Sequence, residues 1–149
     1  MKVLSNPRRL KASGPIYLYG ASEGGRIVKR ALDAAGRVTV TAFVDRAPKA
    51  EVDGLPVLSA ASFLATGDRG ATVVIASQHW EDIAMHLSAA GFYKLWTADP
   101  IIQRHLAMVR DPASADLERR RRRLKAAGLA AVAALLTLMA LIFGMVAGA

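Results

Sequence analysis

Ile16-Tyr17-Leu18-Tyr19-Gly20-Ala21-Ser22-Glu23-Gly24-Gly25 is the stretch on which the reading of this chain turns. Its first four residues form a short apolar run bounded by Pro15 and Gly20, which suits a buried strand. The period then changes. Ile27, Val28, Ala31, Leu32 and Ala35 recur at the spacing of one apolar helix face, predicting a helix over 25–35. Gly36 stands where a glycine ends such a helix. Strand, glycine-rich turn and helix in that order open a parallel α/β unit.

The same alternation continues downstream. Residues 38–44 are dense in β-branched side chains and read as a second strand, ending at Asp45. A polar loop over 46–53 leads into the turn Gly54-Leu55-Pro56-Val57-Leu58, and Ser59 is placed to cap a short helix through Leu64. After a turn at 67–70, residues 71–76 (ATVVIA) make the clearest buried strand. A helix over 81–90 follows, with Ile83, Ala84 and Leu87 inward and Gly91 as its stop. Residues 92–96 read as a last strand, and Asp99-Pro100 begins a helix through Val109. The fold class is therefore α/β, with a small parallel sheet covered by helices on both faces. Right-handed crossovers place every strand's C-terminal end on one edge, where ligands bind in such folds. Upstream, residues 1–15 carry Lys2, Arg8, Arg9 and Lys11 without an apolar core behind them. They read as a solvated basic lead-in rather than a signal peptide.

Charge is distributed unevenly. The formal net charge is +8, but six of the 20 basic residues are Arg119, Arg120, Arg121, Arg122, Arg123 and Lys125. A nucleic-acid binder spreads such residues over a folded face, whereas this block abuts an apolar run, so no nucleic-acid partner is expected. Residues 126–149 contain no charge, and their only hydroxyl is Thr137. As a helix they would span roughly 36 Å, against a hydrocarbon core of ~30 Å. The expectation is a single transmembrane helix over 126–149, preceded by a basic juxtamembrane helix over 111–125 that Asp111-Pro112 begins. With the positive block on its N-terminal side, the domain over 16–110 is expected on the cytoplasmic face of an inner membrane. Membrane lipid is thus an expected partner. Small residues at four-residue spacing, Ala126, Ala130, Ala134 and then Ala140, Gly144, Gly148, would let that helix pair with a second copy or another membrane protein. The absence of cysteine excludes disulfides and thiolate metal sites and is compatible with a reducing compartment.

Candidate binding residues gather at the strand ends. The turn after the first strand carries Gly20, Ala21, Ser22, Gly24 and Gly25; it keeps two glycines of the G-x-G-x-x-G dinucleotide fingerprint but has Ser22 at the middle position. A helix N-terminus behind it offers free N–H groups to an anion, while Glu23 opposes one. Asp45, at the end of the second strand, is placed to accept from a ribose or to cap the loop that follows it. Ser77 and His79 end the third main strand on the same edge; His79 is the only histidine expected there, since His86 and His105 fall inside helices. No catalytic set and no metal ligands emerge from this pattern.

These segments, YLYGASEGGRIVKRAL, FVD, GLPVL and VVIASQHWEDIAMHLSAAGF, resemble the small Rossmann-like N-terminal domain of bacterial sugar O-acyltransferases of the sialic-acid/bacillosamine type. The chain is also similar to CoA-binding-like domains found near some sugar-nucleotide enzymes and methyltransferases. The resemblance covers about residues 16–100. It implies a nucleotide-sugar ligand, with Gly20, Ala21, Ser22 and Gly24 on the phosphate side and Asp45 as the strand-end acid. In those acyltransferases a left-handed β-helix follows, binds acyl-CoA and supplies the catalytic histidine; here the apolar segment stands in its place. The leading expectation is a membrane-tethered, non-catalytic module for a nucleotide-sugar or dinucleotide in a polysaccharide or envelope pathway. Two others stand beside it: a ligand-free scaffold that assembles a membrane complex, and an enzyme subunit completed by a partner.

Overall fold

The computed structural model describes residues 1–12, 14–47, 50–112 and 116. Seven strands, β1 (Lys2–Val3), β2 (Ile16–Tyr19), β3 (Ala42–Asp45), β4 (Glu51–Val52), β5 (Leu55–Ser59), β6 (Thr72–Ile75) and β7 (Lys94–Thr97), form one sheet in the order β1-β7-β6-β2-β3-β5-β4. Every pairing is parallel except β4 with β5. The helices are α1 (Glu23–Ala35), α2 (Ala60–Thr66), α3 (Trp80–Ala89) and α4 (Asp99–Arg110). This is an α/β fold with a mostly parallel, Rossmann-like sheet. The chain divides into two compact units, Met1–Leu106 and Ala107–Ala149. The sheet lies wholly in the first. The expected basic block and membrane-spanning helix, over 119–149, lie outside the described residues; among the described residues no helix is long and apolar enough to cross a membrane.

Two apolar layers hold the sheet. On one side Leu18, Phe43 and Val74 pack with Ile27, Val28 and Leu32 of α1 and with Leu4 and Leu10 of the N-terminal segment. On the other, Val44, Val73 and Ile75 pack with Phe63 of α2, Leu87 of α3 and Phe92. All four residues of β6 are buried, because helices cover both of its faces. Phe63 stacks on Phe92 with ring centroids 4.9 Å apart. Local chemistry sets the helix ends. Ser59 Oγ accepts from Ser62 N–H at 3.1 Å and starts α2. Arg69 donates to the carbonyls of Leu64 and Gly67 at 2.6 and 2.7 Å and closes α2 at its other end.

Four expectations are corrected. The N-terminal segment is no solvated lead-in: β1 pairs with β7, a 3-10 turn follows at Pro7–Arg9, and Leu4 and Leu10 are buried. The second strand begins at Ala42 rather than Val38. At that boundary the Thr41 hydroxyl accepts the Ile16 N–H at 3.2 Å, a side-chain bond in the place of a ladder carbonyl. The polar loop at 46–53 contains β4, which pairs antiparallel with β5, so the GLPVL turn is itself largely a strand. The last strand begins at Lys94, with Phe92 ahead of it in the core.

Candidate functional site

The sheet order fixes where a ligand can sit. From β2 the chain moves outward through β3 to β5, then crosses back to β6 on the other side of β2. The connections diverge there, leaving a crevice beyond the C-terminal ends of β2, β3 and β6. A cleft of about 750 Å³ occupies that position. Tyr19, Gly20 and Ser22 form its wall on the β2 side, and Asp45 and Arg46 extend it from β3. Ala60, Ala61 and Leu64 of α2 give it an apolar side. Ser77, His79, Asp82, Ile83 and His86 line it from the end of β6 and from α3.

Of the eight residues expected at the site, Gly20, Ser22, Asp45, Ser77 and His79 face this cleft; Ala21, Gly24 and Gly25 do not line it. Glycine is required at this turn by close packing, whether or not the residue lines the cleft. Gly20 has φ +115, a conformation that side chains avoid, and a Cβ there would lie 2.8 Å from the Ala76 carbonyl oxygen. A Cβ on Gly25 would run into the Gly20 carbonyl oxygen and press on Phe43, so this glycine lets α1 sit against the turn. Ser22 precedes α1 without a capping hydrogen bond from its side chain, and its hydroxyl is exposed at the cleft. The N–H groups of the first turn of α1 have no partners within the helix. Glu23 does not stand unopposed beside them: its carboxylate pairs with Arg30 at 2.7 Å and Arg26 at 4.0 Å.

Asp45 is engaged on both oxygens. Oδ2 accepts from the Ala21 N–H at 2.7 Å and Oδ1 from the Ala47 N–H at 3.0 Å. It therefore ties the glycine turn to the end of β3 and caps its own loop. Tyr19 sits beside it at the end of β2. Burial raises the pKa of its phenol, the Arg46 charge lowers it and the Asp45 charge raises it further; the net direction is up. At neutral pH the phenol is a neutral hydrogen-bonding group on the cleft wall.

The sequence pattern missed Tyr19, Arg46, Asp82 and His86. For α3 a usable signal existed, because His79, Asp82 and His86 follow the three- and four-residue helical spacing and share a face. His86 lies inside a helix as expected, yet it lines the cleft, so His79 is not the only histidine at this edge. His86 Nδ1 lies 2.7 Å from the Asp82 carbonyl oxygen, which only accepts, so Nδ1 carries the proton and Nε2 is the remaining nitrogen. Ser77 Oγ accepts from the His79 backbone N–H at 3.2 Å. No hydroxyl-to-imidazole pair of the kind that activates a nucleophile occurs among the described residues, and no three His, Cys, Asp or Glu side chains among them group as metal ligands.

The fold and cleft thus define an α/β protein with a Rossmann-like sheet and a switch-point crevice. No protein-family model matches the chain, and no curated protein matches it.

Proposed function

We propose that this chain is a binding module, without chemistry of its own, that holds a nucleotide or nucleotide-sugar in the switch-point cleft. One observation carries the reading: the cleft brings the Ser22 hydroxyl and the Arg46 guanidinium together with His79 and His86, above an apolar wall from α2. Hydrogen-bond donors and the Arg46 charge suit a phosphate-bearing ligand on the side of the α1 turn, with Asp45 there already holding backbone N–H groups and Asp82 across the cleft on α3; the apolar wall suits a base or sugar face. Between the two ligand classes, the resemblance to the N-terminal domain of sugar O-acyltransferases favours the nucleotide-sugar.

The reading extends to a membrane-tethered module in a polysaccharide or envelope pathway, and its support is the uncharged run over 126–149 behind Arg119–Lys125 in the sequence. Neutral residues at 119–123 are expected to scramble orientation in a protease-protection assay. Protection identical to the unaltered chain would contradict that part.

Thermal unfolding of the full chain in detergent, with UDP-sugars, NAD(P) and CoA, tests the ligand. Binding at ten times Kd adds about 1.4 kcal/mol, worth a rise of several degrees in Tm for a domain of this size. The expected result is a rise with a UDP-sugar that Arg46→Glu removes. A second reading, the ligand-free scaffold, is favoured by Asp45 closing the turn on itself; it predicts no rise with any ligand at millimolar concentration.

A further inference from the structure

A second concavity lies on the sheet away from the cleft. Lys94 and Trp96 alternate along β7 with Leu95; Leu95 packs toward α3, and Trp96 packs on the side of α1. On that side α4 buries only Ile101, with Gln103 to Leu106 exposed, and Lys94 and Trp96 stay half-buried beside the exposed Lys2. The result is a groove of about 410 Å³ at the β1–β7–β6 end of the sheet. Lys2, Lys11 and Lys94 line it together with Tyr93 and Trp96, and no acidic side chain is among the described residues that do so. Lys2 Nζ lies 5.3 Å from the centre of the Trp96 ring, and Lys94 Nζ lies 5.6 Å from that of Tyr93, which is 68% exposed.

We propose that this groove binds phosphate-bearing anions, the chemistry shared by an anionic lipid headgroup and a soluble phosphate. Three lysines and no acidic residue line one concavity, so the local field favours an anion. The Lys2 and Lys94 ammonium groups each stand over an aromatic ring of the groove. Lysine with exposed tyrosine and half-buried tryptophan is also the residue combination that sits at the level of lipid headgroups. The groove shares no residue with the switch-point cleft, so the two proposals stand or fall separately.

Trp96 reports on the groove directly. The chain has two tryptophans, and Trp80→Phe leaves Trp96 as the single fluorophore. The full-length variant would be titrated with inorganic phosphate, with phosphatidylcholine vesicles, and with vesicles that also contain phosphatidylglycerol. A saturable Trp96 change with phosphatidylglycerol but not phosphatidylcholine alone supports the site and assigns the lipid source; one with inorganic phosphate supports it and assigns the soluble source. Lys2→Ala, Lys11→Ala and Lys94→Ala together are expected to weaken apparent affinity about a hundredfold, from about 1 kcal/mol per basic residue. Should that variant fail to fold, Lys2→Ala, Lys11→Ala and Lys94→Ala made singly in the Trp80→Phe chain must each weaken the change about fivefold, which binding through the basic block at 119–125 would not produce. A response equal in both vesicle types, or none to any anion, overturns the proposal. Co-sedimentation with phosphatidylcholine vesicles reports the membrane anchor independently of the groove.

Discussion

Asp45 holds two backbone N–H groups at once, and its partners decide how the residue is understood. A carboxylate at the end of a second strand is easy to find in the sequence; its bond to Ala21, 24 positions away, is not, because no local pattern encodes which way the side chain turns. Asp45→Asn leaves one acceptor oxygen for two donors. It is expected to cost about 1.5–3 kcal/mol, the range for hydrogen bonds to a charged group, read as a lower urea midpoint with unchanged slope. An unchanged midpoint would mean that the turn holds itself. Gly25→Ala is expected to cost about 3 kcal/mol or more, since the new methyl meets the Gly20 carbonyl and backbone must shift. Tyr19 yields a pH prediction. Its folded pKa lies above 10.0, so the folded state keeps the proton longer than the unfolded chain. Its contribution is complete below pH 10 and is lost as pH climbs through the ordinary tyrosine value toward the raised one. Tyr19→Phe is expected to flatten that alkaline decline in a series of urea midpoints, and an unaltered decline would assign it to other groups.

At the scale of elements, what could be read from the sequence followed the strength of each local signal. The run ATVVIA predicts β6 because a strand buried on both faces must be apolar throughout. The amphipathic spacing of α1 and the Ser59 cap of α2 were likewise legible, since both are written in adjacent residues. A two-residue strand has no periodicity to detect, so β1 and β4 were invisible. The N-terminal segment illustrates the cost of that blindness. Its charges dominate a reading by composition, whereas Leu4 and Leu10 anchor it in the core. Leu4→Ala is expected to cost about 2–4 kcal/mol in chemical unfolding, as for a filled core position. A change below about 0.5 kcal/mol would return the segment to a solvated lead-in. Of the site, the strand-end turn, Asp45, Ser77 and His79 were legible from the α/β alternation alone. Tyr19 and Arg46 were not, because nothing local says that side chains at the ends of β2 and β3 turn into the crevice; the shared face of His79, Asp82 and His86 was written in their spacing, but not that it borders the cleft.

For the molecule as a whole, the sheet order brings residues from both halves of the first unit to one crevice. Gly20 and Ser22 come from the start of the chain, Arg46 from its middle, and His79 and His86 from beyond the crossover to β6. The central claim is that this crevice holds a phosphate-bearing nucleotide ligand at the start of α1. Amide chemical shifts of the 15N-labelled full chain in detergent, followed as a UDP-sugar is added, test it most directly. Saturable shifts concentrated at Gly20, Ser22, Glu23, Gly24 and His79 are expected, all lost in Arg46→Glu. No saturable shift at millimolar UDP-sugar, or shifts that spare the α1 turn and survive Arg46→Glu, would contradict it.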